Sequence, residues 1–118
     1  MPAVEEHTKQ TLAGIATADM DVLAASLGLR EAHFERTGLD RRTFACVKIA
    51  ALIALDAAPA SYAWQIANAL DEGVEPEEIV GVLVAVAPQV GGPRVIAAAC
   101  EIMLALGLTL PDELERGA

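Results

Sequence analysis

Gly73-Val74-Glu75-Pro76-Glu77-Glu78-Ile79 closes one helix and opens the next within seven residues. Gly73 suits a left-handed helix cap, because it lacks the Cβ that disfavours positive φ. Pro76 fits a first helical turn, where its missing N–H is not needed. The acids Glu75, Glu77 and Glu78 set negative charge against the positive end of the helix dipole. Reading outward, the segment from Pro59 through Trp64 and Leu70 to Glu72 is the helix that stops here. Ile79 to Val86 is the body of the helix that starts.

The same boundary chemistry recurs along the chain. Leu39-Asp40-Arg41-Arg42-Thr43 starts a helix, with Asp40 accepting from orphan amides. From Phe44 to Leu55 nearly every residue except Lys48 is apolar, which predicts a helix buried on most sides. Ala57-Ala58-Pro59 breaks it, with Pro59 in the first turn of the next. Pro88-Gln89-Val90-Gly91-Gly92-Pro93 reads as a loop, followed by a last helix from Arg94 to Leu106 closed by Gly107. Toward the N-terminus, helices are expected over Val4–Ala16, from a cap at Thr17 or Asp19 to Leu27, and over Arg30–Arg36. The tail from Thr109 to Ala118 is polar and is expected to fray or pack on a neighbour. The fold class is all-α, a bundle of about six helices.

Composition agrees and excludes several classes. At 118 residues the chain makes one domain, and 54% of its residues are hydrophobic while 3% are aromatic. That is too apolar for a disordered chain and more than a small monomer can bury, so a homo-oligomer is expected. Seventeen acids against eight bases give a net charge of −9, which repels phosphate backbones. With so few rings for base stacking, nucleic acid is excluded as a partner. No membrane span is expected: Lys48, Asp56 and Pro59 interrupt one apolar stretch, and Pro88, Gln89, Gly91 and Gly92 the other. The start, Met-Pro-Ala-Val-Glu-Glu, has acids where a secretory leader has bases, so the expected location is cytoplasmic. Cys46 and Cys100 lie 54 positions apart in apolar runs and read as reduced, buried thiols.

The segment from Leu39 to about Leu106 resembles the carboxymuconolactone decarboxylase family, which includes the alkyl hydroperoxidase D-like proteins. The residues that carry it are Leu39-Asp40-Arg41-Arg42-Thr43 and the apolar helix Val47–Leu55. They continue in Ala63-Trp64-Gln65 with Ala69 and Gly73 at the family's offsets, the Gly73–Ile79 segment, and Gly91-Gly92-Pro93. The resemblance implies an all-helical fold assembling into trimers or hexamers. The redox branch of the family uses Cys-x-x-Cys with a His four residues on and an upstream Glu. Aligned through Gly73, the His slot holds Gln65, the Cys slots hold Ser61 and Ala58, and the Glu slot falls at Ala45 or Cys46. Dithiol peroxidase chemistry at that site is therefore not expected. The decarboxylase branch keeps the His, and Gln65 cannot transfer a proton at neutral pH.

The polar residues left near that site are the candidate catalytic residues: Gln65, Ser61 and Lys48. Ser61 and Gln65 share a helix face and can hydrogen-bond one ligand, or satisfy buried groups or a subunit contact. Lys48, alone in an apolar helix, can bind a carboxylate or act as a base. It can equally lay its stem on apolar surface and reach water or an acid of a neighbouring subunit. Asp56 follows two turns on. Tyr62 and Trp64 read as packing and interface anchors rather than ligand stackers. Gln89 is a loop residue that can line a pocket mouth, and His33 reads as a surface residue beside acids that can otherwise replace the missing His. No cofactor and no metal is expected, since no His, Cys and carboxylate spacing forms a ligand set and Gly91-Gly92 lacks a phosphate-loop ending.

The leading functional expectation is an enzyme or ligand-binding protein for a small carbonyl or lactone compound. One alternative is an oligomeric scaffold or binding module that lost the active site. Another is residual peroxidase activity through Cys46 or Cys100.

Overall fold

The computed structural model describes residues 3–17, 19–27 and 34–117. Among them the chain is helical and contains no strand. Its helices are α1 (Glu6–Ala16), α2 (Met20–Leu27), α3 (Arg41–Leu55), α4 (Pro59–Asp71), α5 (Pro76–Val90), α6 (Gly92–Ala105) and α7 (Asp112–Gly117). Seven helices thus stand among the described residues where about six were expected. The chain divides into two compact units, residues 1–39 and 40–118.

In the first unit α1 and α2 pack on each other. Asp19 is the cap of α2: its Oδ1 accepts from the amides of Asp21 at 3.1 Å and Val22 at 3.2 Å. Thr17 instead turns its hydroxyl back onto the Ala13 carbonyl, 2.8 Å away. Gly14 permits the close crossing, since a Cβ there would lie 2.6 Å from Val22 Cγ2. Phe34 and Glu35 are helical, but the rest of the helix expected over Arg30–Arg36, His33 included, lies outside the described residues.

In the second unit α3 and α6 pack on each other, and α4 and α5 each pack on both. The core is Ala45, Ile49 and Ile53 of α3, Tyr62, Ile66 and Ala69 of α4, Val74 and Ile79, and Ala98 and Ile102 of α6. The start of α3 follows the sequence reading, with Asp40 Oδ1 accepting from the Thr43 amide at 2.7 Å. The burial of α3 does not follow it. Only Ala45, Ile49 and Ile53 are buried, while Val47 is 53% and Leu55 73% exposed. Residues four apart present one stripe, and the three helices packed on α3 fully bury that stripe alone, leaving its flanks half-covered.

Helix α3 ends on Asp56, which takes the left-handed conformation at φ 53°. Asp adopts it more readily than most residues because its short polar side chain can bond locally. Pro59 opens α4, and Gly73 follows its end at φ 86°, as expected. The expected loop over Pro88–Pro93 is a second correction. Helix α5 runs through Pro88 and Gln89 to Val90, and only Gly91 separates it from α6. Proline removes the bond to the carbonyl four residues earlier. Here that carbonyl belongs to Val84, 66% exposed and on the same outer face as Pro88, where water can replace the lost donor. The polar tail forms the short helix α7. No helix among the described residues is long and apolar enough to cross a membrane.

Ile66 and Ile79 have no exposed surface, and they join the core from α4 and α5. Ile66→Ala should lower unfolding free energy by about 2–5 kcal/mol, read from urea denaturation with an unchanged m-value.

Candidate functional site

Of the residues singled out in the sequence, Lys48 and Trp64 meet. Lys48 leaves α3 on the flank facing α4, and its Nζ lies 4.6 Å from the centre of the Phe44 ring and 5.9 Å from that of Trp64. Phe44 is one helical turn before Lys48, so the helix itself sets ring and cation on one face. The ammonium is half-buried, and among the described residues it has no carboxylate partner. Burial draws its pKa below the usual lysine value. Trp64 adds a second donor, for its indole Nε1–H is buried and finds no acceptor among the described residues. A buried donor left unpaired costs on the order of 1–3 kcal/mol.

Ser61 and Gln65 flank Trp64 on α4 and are half-buried. Among the described residues neither side chain has a hydrogen-bond partner, and neither is bonded to Lys48. Asp56 is exposed and forms no ion pair with Lys48. Tyr62 is a core residue, as read, and burial, Asp56 and Glu101 raise its phenol pKa. Gln89 stands on α5 rather than in a loop, and it is exposed.

On the opposite flank of α3 a groove of about 720 Å³ opens between α3 and α5. Its floor is apolar, with Cys46, Val47 and Ala50 on one wall and Val82, Ala85 and Val86 on the other; Asp40, Arg41, Arg42, Thr43 and Glu78 form its mouth. Arg42 binds the Gly73 carbonyl at 2.5 Å and the Glu78 carboxylate. Glu78 also accepts from the Glu75 amide at 3.2 Å, and Arg41 reaches Glu72 at 3.4 Å. In the sequence, Arg41, Arg42 and Glu78 read as helix-boundary residues. The available signal was Glu78 at the third position of a helix, where a carboxylate reaches back to the cap amide.

Cys46 and Cys100 are free and half-buried. Burial, with Glu78 nearby, pushes the Cys46 thiol above its ordinary pKa, away from the thiolate a nucleophile needs. Among the described residues no three His, Cys, Asp or Glu side chains gather as a metal site.

Residues 20–104 match the model of the carboxymuconolactone decarboxylase family. The chain belongs to this family. No curated protein and no solved structure matches it. Within the matched range, the first turn of α3 and the Gly73–Ile79 segment, far apart in the chain, are joined by Arg42.

The Thr43 amide, then its hydroxyl, hold the Asp40 carboxyl below its usual range, and the Glu75 amide with Arg42 does the same for Glu78. Carboxyls held low stabilise the fold above their unfolded pKa, and that contribution drains away as pH falls through the folded value. Asp40→Asn keeps a capping acceptor without this titration. In urea titrations the wild type should lose stability more steeply than Asp40→Asn below about pH 4.5.

Proposed function

We propose that this member of the family is a homo-oligomeric protein that binds, and where catalytic acts on, a small carbonyl or lactone compound without dithiol chemistry. The observation that carries the proposal is Lys48, a half-buried cation without an acid partner, held against Phe44 and Trp64. The ligand sits between α3 and α4, with Lys48, Ser61 and Gln65 as its polar contacts. Gln65 hydrogen-bonds but moves no proton, so any proton transfer by the protein falls to Lys48. The matched residues run across both units, which supports one family domain over residues 1–118. The two free thiols suit a reducing, cytoplasmic setting.

The homo-oligomer, a trimer or hexamer, rests on apolar side chains left uncovered in the single chain. Val80 and Val84 lie one turn apart on the outer face of α5, at 52% and 66% exposure, and Ile96 on α6 is 65% exposed. Burial of such side chains between subunits contributes about 25 cal/mol per Å² of apolar area. Val84→Asp should shift the native mass toward monomer in light scattering, and an unchanged mass would remove α5 from the interface.

The ligand site is tested by calorimetry with γ-butyrolactone and small ketones. Gln65→Leu and Ser61→Ala should each weaken binding about three- to tenfold, the worth of one hydrogen bond. Failure of the wild type to bind any of these compounds would overturn the reading.

A further inference from the structure

The chain has two lysines, and their surroundings differ in kind. Lys9 stands on α1 with its side chain 60% exposed and Glu6 at 4.0 Å. Lys48 is half-buried, faces two aromatic rings and has no carboxylate within ion-pair reach among the described residues. Its pKa is lowered by burial alone, with no neighbouring charge contributing. An amine in apolar surroundings spends more time neutral than a solvated lysine at the same pH, and the neutral amine is the nucleophile.

We infer that Lys48 is a nucleophilic amine that forms an imine with a small aldehyde or ketone. This rests on the reading of the α3–α4 flank as a site for small carbonyl compounds. The ammonium first gives one proton to water; the freed nitrogen lone pair attacks the carbonyl carbon, a C–N bond forms, and the carbonyl π pair moves to oxygen. A proton passes from nitrogen to oxygen through water, giving a carbinolamine. The C–O bond then breaks as a second proton reaches the hydroxyl, and water leaves. The net exchange turns ammonium and carbonyl into iminium and one water, with no oxidant or reductant. Charge is conserved at the nitrogen, so the Phe44 and Trp64 faces that hold the ammonium also hold the iminium.

The test traps the imine on the full chain. Butanal and cyanoborohydride are added at neutral pH, and peptide mapping follows butyl addition at Lys48, at Lys9 and at the α-amine. Lys48 should gain the group at least about fivefold faster than Lys9. Lys48→Arg should abolish that adduct while the thermal unfolding curve shows a folded protein. Labelling of Lys48 no faster than Lys9 overturns the inference. γ-Butyrolactone binding, measured in parallel, separates the two readings. Lactone binding without selective labelling overturns the imine and leaves the site standing. Selective labelling without lactone binding supports the amine and overturns the lactone reading.

Discussion

Helix α3 buries a single stripe, Ala45, Ile49 and Ile53, and α4, α5 and α6 all pack against that helix. At 100° per residue these three positions drift over less than a quarter of the helix circumference. The two sides next to the stripe are therefore left to do different things. Phe44 and Lys48 project toward α4, and Cys46, Val47 and Ala50 line the groove with α5. Moving the buried stripe one residue toward the N-terminus, to positions 44, 48 and 52, would put Lys48 in the core and turn the groove wall toward solvent. Both the cation site and the groove thus depend on the register of one helix.

A second dependence ties the ends of elements together. Arg42 leaves the first turn of α3 and binds both Gly73, just past α4, and Glu78, in the first turn of α5. Exposed ion pairs contribute little by themselves. This one gains from geometry, since the same guanidinium satisfies a carbonyl at a helix end and a carboxylate already engaged by a helix-start amide. It sets where α5 begins against α3, and with it the mouth of the groove.

Helix boundaries were legible in the sequence wherever local chemistry decides them. Asp40, Pro59, Gly73, Pro76 and Gly107 act within a turn of their own position, and their roles stand as read. Two features that depend on solvent and neighbours were not legible. Pro88 looked like a loop residue because its cost depends on whether the orphaned Val84 carbonyl meets water. The apolar run of α3 reads as buried on most sides because composition does not say how many helices surround it. The same division holds for the site. Lys48 stood out as a charge in an apolar run, whereas its meeting with Trp64 required the packing of α3 on α4. Arg42 and Glu78, 36 positions apart, carried no periodic or motif signal that linked them.

The corner between α5 and α6 bears on how this chain can diverge. Gly91 alone turns one helix into the next, at φ 86° and ψ 161°, a conformation that is essentially confined to glycine. Its neighbour Gly92 is already inside α6, and a Cβ there would meet nothing within 4 Å. Of two adjacent identical residues, drift is therefore free at one and closed at the other. Descendants of this sequence can exchange Gly92 for alanine or serine without a steric clash, whereas any side chain at Gly91 strains the corner. Of the pair, only Gly91 is held in place by the backbone itself.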